Sequence, residues 1–151
     1  MNSILEKVKN TRILAIIGIG SMILGTIFSY VSYTFFGYTH SIALWDYWEG
    51  KVILLLAIAN LLFIFQDFVE KYVPSLFNTN LGKKIAEIQN PKASLVPTIL
   101  AAVFAIYLHV KLDIGMEDYS LGFYLLWIGV IALVAYAFLH KNQDNEIEKN
   151  V

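Results

Sequence analysis

The sequence predicts an all-α integral membrane protein. The expected form is an antiparallel four-helix bundle with both termini in the cytoplasm and a short amphipathic helix in the cytoplasmic loop. Three observations predict it. Hydrophobic residues make up 58% of the 151-residue chain and charged residues only 15%, against roughly 45–50% and roughly 25% in soluble domains. A water-soluble protein this small needs many charges to cover its surface, and this chain lacks them. Four long apolar runs punctuate the sequence, and lysine and arginine fall almost wholly on one side of them. The expected organisation is one four-span domain over residues 1–140, followed by a disordered cytoplasmic tail at 141–151.

The first run, Ile13 to Phe36, holds 24 residues without a charge, more than the roughly 20 that span a bilayer. Lys7, Lys9 and Arg12 precede it as they would a signal peptide. The run is too long for a signal core and no small-residue cleavage site follows, so it reads as a retained span over about 13–36. The second run, Val52 to Phe65, is interrupted only by Asn60. Flanking aromatic and polar residues extend it to about 48–68. The third span covers about 94–111, with Pro97 in its first turn, where a missing N–H costs little. The fourth covers about 119–139 and carries no charge.

Orientation follows the cytoplasmic excess of lysine and arginine. Lys7, Lys9, Arg12, Lys71, Lys83, Lys84, Lys92, Lys141 and Lys149 fall on one side, nine residues in all, against Lys51 and Lys111 on the other. The nine-residue side is expected to face the cytoplasm, in the plasma membrane. Ten lysines against one arginine suit an AT-rich bacterial genome. In the middle loop, Leu81, Ile85 and Ile88 share one helical face with Lys83 and Lys84 off it. This predicts a short amphipathic helix, lying on the inner leaflet or packing on the ends of the bundle.

Helices in lipid associate through close packing and interhelical hydrogen bonds. Ser21, Gly25 and Ser29, with Gly18 one turn earlier, make a small-residue stripe on the first span, and Gly122 and Gly129 share a face of the fourth. Asn60 must find a partner inside the protein, because an unpaired amide in hydrocarbon is costly.

Chemistry is sparse. There is no cysteine, which removes thiol catalysis, disulfides and thiolate metal sites. Gly18-Ile19-Gly20-Ser21 and His109 invite comparison with intramembrane serine proteases. By rise along their helices, however, Ser21 lies about 12 Å and His109 about 22 Å from the cytoplasmic edge, whereas a nucleophile must touch its base. His40, His109, Asp46, Glu49, Asp113, Glu117 and Asp118 could gather at the outer surface, but without a recognised metal-ligand spacing. The apolar runs of the spans lack the carboxylates typical of coupled transporters. No cofactor, metal, nucleic acid or enzymatic activity is therefore expected. The expectation is an accessory, regulatory or immunity-type partner of another membrane component, either through a membrane protein partner or through self-association. Its candidate outer docking surface is Trp45, Asp46, Tyr47, Trp48 and Glu49, although tryptophan and tyrosine also favour headgroup depth, so an aromatic belt is the other reading of the same residues. The alternative is a homo-oligomeric pore or membrane-permeabilising effector.

Overall fold

The computed structural model describes residues 2–87, 94–112 and 118–149. The chain is mostly helical. In order it forms α1 (Asn2–Ile27), strands β1 (Ser29–Phe35) and β2 (Tyr38–Ala43), a 3-10 turn (Leu44–Asp46), and α2 (Trp48–Ile64). Short helices α3 (Gln66–Tyr72), α4 (Pro74–Phe77) and α5 (Asn80–Glu87) follow, then α6 (Leu95–Leu112), strand β3 (Asp118–Tyr119) and α7 (Leu121–Lys149).

Among the described residues, two segments are long and apolar enough to cross a membrane, Leu95–Leu112 in α6 and Leu121–Leu139 in α7. A third crossing requires α2 and α3 to count together, although they meet at 91°. The apolar part of α1, Thr11–Ile27, is shorter. α1 packs against α7 and α2, α2 against α6, and α6 against α7, so the four long helices neighbour one another in a closed cycle. Met22, Ile53, Ala57, Ala101, Ala105, Leu126 and Leu133 lie in the core between them.

The first expected span is corrected. The helix stops at Ile27, and residues 29–35 are strand. The local sequence explains this, because Val31-Ser32-Tyr33-Thr34-Phe35 alternates apolar or aromatic with hydroxyl residues, the period of a strand. Phe36 (φ 49°) and Gly37 (φ 81°) close a two-residue hairpin. Positive φ at both central positions is the I′ geometry that suits strand twist. Glycine adopts it freely, whereas a bulky L-residue such as Phe36 gives up roughly 1 kcal/mol there. The sheet order is β2-β1-β3, with β1 antiparallel to both neighbours.

The second expected span, 48–68, is also shortened. α2 ends at Ile64, and Phe65 leaves helical geometry (φ −116°, ψ 32°). Gln66 and Asp67 then open α3 across the previous axis. The polar and charged residues after Phe65 suit exposure over continued burial, and no residue of α3 is buried. α5 occupies the expected loop helix, its start capped by the Thr79 hydroxyl accepting from the Gly82 N–H at 3.1 Å. Ile88 lies outside the described residues. α7 runs unbroken to Lys149, through most of the tail expected to lack order. Lys, Gln and Glu are good helix formers, and extending an existing helix avoids the cost of nucleation.

Candidate functional site at the hairpin end

The hairpin, the 3-10 turn, the start of α2, the end of α6 and the start of α7 meet at one end of the molecule. Leu44 is fully buried beneath the 3-10 turn, and its carbonyl accepts from the Tyr47 N–H at 3.0 Å. Gly50, one helical turn further, passes directly under it. A Cβ there would stand 2.0 Å from the Leu44 carbonyl oxygen, so only glycine fits. Above this anchor Trp45, Asp46, Tyr47 and Trp48 are exposed. Trp48 also meets the Phe104 ring edge-on at 5.8 Å.

Glu49 departs from the expected surface. It is 2% exposed and forms an ion pair with Lys111, which lies at the end of α6. The Lys111 ammonium stands 5.9 Å over the Tyr107 ring while its side chain stays 45% exposed. The pair ties the start of α2 to the end of α6 and fixes the base of the Trp45–Trp48 segment. Sequence reading missed it because 62 residues separate the partners. Their common depth at antiparallel helix ends was the available signal.

Beside this pair lies an aromatic cluster. The Tyr119 hydroxyl is 3.4 Å from His109 Nδ1, and Tyr119 stacks on Phe123 at 4.0 Å. His109, Trp127 and Tyr30 also pack around Phe123. Tyr30 Oη and Trp127 Nε1 are buried without a hydrogen-bond partner among the described residues. Ser120 ties the hairpin to α7. Its N–H donates to the Tyr30 carbonyl at 2.9 Å and its hydroxyl to Ser32 Oγ at 3.1 Å.

Asn60 is fully buried, and its amide donates to the Leu56 carbonyl at 2.9 Å. The Thr98 hydroxyl lies 2.8 Å from both Asn60 Oδ1 and the Ser94 carbonyl, sharing its proton between them. This links α2 to α6 deep in the structure. Thr98 also borders an apolar groove of about 240 Å³ between α6 and α7, lined by Leu95, Ile99, Val134, Ala137 and Phe138. The groove offers contact but no reactive group.

The glycines meet across α1 and α7. Cβ atoms on Gly18 or Gly25 would overlap Leu133 or the Leu126 backbone, and on Gly129 or Gly122 would overlap the α1 chain. Of the expected stripe, Gly25 lies in this contact, and the Ser29 carbonyl, at the start of β1, abuts Gly122. Ser21 is half-buried beside it, and Met22, which the stripe omitted, is central.

Among the described residues no three His, Asp or Glu side chains gather as metal ligands. Asp113 and Glu117 lie outside them. Comparison with protein families, with curated proteins and with solved structures finds no match to this chain.

Proposed function

We propose that this chain is a non-enzymatic accessory, regulatory or immunity-type partner of another membrane component. It would sit in a bacterial plasma membrane as a four-span antiparallel bundle with both termini in the cytoplasm. One observation carries this reading. Trp45, Asp46, Tyr47 and Trp48 are exposed, while Leu44, Glu49 and Gly50 hold the same segment rigidly from beneath. Tryptophan and tyrosine dominate binding hot spots, and a surface ordered before contact loses little entropy on association. Asp46 adds charge that selects a complementary partner.

The topology rests on the nine-to-two division of basic residues and on the closed cycle of helix contacts. The rival reading, a homo-oligomeric pore, needs polar groups facing water. Asn60 instead spends its amide on Leu56 and Thr98, which weighs against it.

The test is pull-down of the tagged full-length protein from its native membranes, beside Trp45→Ala and Tyr47→Ala. A membrane partner should accompany the wild type and be lost from both variants, with membrane potential unchanged on expression. Depolarisation by the wild-type chain alone would support the pore and sink the accessory role.

A further inference from the structure

The β1–β2 hairpin is two-faced. Its register pairs Val31 with Ile42, Tyr33 with His40 and Phe35 with Tyr38, and between them Ser32 with Ser41 and Thr34 with Thr39. Side chains alternate across a strand, so one face carries rings and the other hydroxyls. The Tyr33 and His40 rings stack at 5.5 Å, and the Thr34 and Thr39 hydroxyls meet at 3.2 Å. The ring face starts in the core at Val31, which is fully buried, and runs outward to Phe35, Phe36 and Tyr38 at 65%, 87% and 74% exposure.

Phe36 sharpens the question. It occupies a left-handed turn position, where asparagine would sit more easily before Gly37. Its ring meets Phe35 at 4.5 Å and otherwise stands exposed. The strained position therefore holds an exposed ring where the turn prefers asparagine.

We infer that the ring face of the hairpin lies in the headgroup–acyl boundary of the outer leaflet, with its Ser/Thr face turned to water. Four observations select lipid as the occupant. No Asp, Glu, Lys or Arg occurs between Arg12 and Asp46. The apolar part of α1 is about 25 Å long at 1.5 Å per residue, short of the roughly 30 Å hydrocarbon core, so the chain leaves the helix while still near lipid. The exposed Leu24, Ile27 and Phe28 carry the lipid-facing surface of α1 up to the hairpin base. Tyrosine and other amphipathic rings prefer this depth. The inference rests on the membrane topology proposed above and is independent of the Trp45–Trp48 docking role.

The chain has no cysteine, so single-cysteine variants Tyr38→Cys and Thr39→Cys label one face each. The full-length proteins carry an environment-sensitive fluorophore in phosphatidylcholine vesicles. Spin-labelled lipid with its nitroxide near the headgroup end should quench position 38 several-fold more than position 39, and aqueous iodide should do the reverse. Phe36→Asn, which suits the turn, should keep the fold by circular dichroism and raise iodide access at position 38. Free iodide access at both positions would place the hairpin in water and overturn the inference. Shielding of position 38 from both quenchers would mean that a second copy or another protein covers it, and would overturn it equally.

Discussion

Gly25 of α1 and Gly122 of α7 face each other with no room for a side chain on either. A Cβ on Gly25 would lie 3.0 Å from the Gly122 carbonyl oxygen and 2.6 Å from the Leu126 nitrogen, and one on Gly122 would lie 2.9 Å from the Gly25 carbonyl oxygen. The obstacles are backbone atoms, which cannot swing aside as a flexible side chain does. Close backbone approach of this kind is how helices gain contact where lipid competes for apolar surface.

Gly25→Leu should therefore destabilise the fold by about 1–3 kcal/mol or more, the usual cost of forcing bulk into a packed site. Leu24, one residue away, is 46% exposed, and Leu24→Ala should be far milder. Thermal unfolding of both variants in detergent measures the difference. A damaging Leu24→Ala beside a silent Gly25→Leu would mean that α1 is rotated from the position described.

The bond between Thr98 and Asn60 yields a second prediction. Thr98→Val preserves shape and leaves Asn60 Oδ1 without its donor, which should cost about 1 kcal/mol, within the range for interhelical hydrogen bonds in membranes. Asn60→Leu should cost more, since it also removes the amide's bond to the Leu56 carbonyl and puts a branched side chain at a fully buried position. The double variant should be less unstable than the sum of the two, and a double-mutant cycle in detergent reads the coupling directly. Strict additivity would mean that the pair contributes nothing as a pair.

For Glu49 and Lys111 the two deletions should be unequal. Lys111→Met leaves a buried carboxylate without its counter-charge, an unfavourable state. Glu49→Gln removes the charge at the buried position and leaves a half-exposed ammonium, which can reach the interface on its flexible stem. Lys111→Met should lower the melting temperature more than Glu49→Gln, and Glu49→Gln should recover part of the loss when added to Lys111→Met. Equal losses with no recovery would show that the ion pair is not what holds α2 to α6 at this end.

How much of this was legible in the sequence depended on range. The long apolar stretches at 95–112, charged only at Lys111 near its end, and 121–139 became helices of spanning length because hydropathy alone decides them. The hairpin escaped because the uncharged run continues from the helix to Phe36, and hydropathy does not register that Val31 to Phe35 alternates as a strand does. Phe36-Gly37 was its turn signal. The bend after Phe65 was marked only by the polarity of Gln66 and Asp67. At the candidate site, Trp45 to Trp48 was visible as an aromatic cluster, whereas burial of Glu49 depended on Lys111 and so on the packing of α2 against α6. Thr98 was hidden as the partner of Asn60 for the same reason.

The expected topology predicts which positions a membrane-impermeant thiol reagent reaches. With no native cysteine to remove, Trp48→Cys should react from outside intact cells, and Lys84→Cys only after permeabilisation. Trp48 and Lys84 are both exposed, so a difference would report sidedness rather than burial. The reverse pattern would invert the bundle and move the Trp45–Trp48 surface to the cytoplasm.

The last prediction separates presenting the docking surface from contacting the partner. Gly50→Ala would place a Cβ 2.0 Å from the Leu44 carbonyl oxygen and 2.3 Å from the carbonyl carbon, so the 3-10 turn must shift as a whole. Overpacking of this kind costs about 1–3 kcal/mol, and it displaces Trp45, Asp46 and Tyr47 together although none of them is altered. Trp45→Ala removes one exposed ring and leaves the anchor in place, so its melting temperature should stay near the wild type. Both variants should lose the co-purifying partner, but only Gly50→Ala should also lose stability. Trp45→Ala that kept the partner while Gly50→Ala lost it would mean that the turn holds some other part of the surface in position, with Trp45 outside the contact. Retention by both would remove the Trp45–Trp48 segment from the interface altogether.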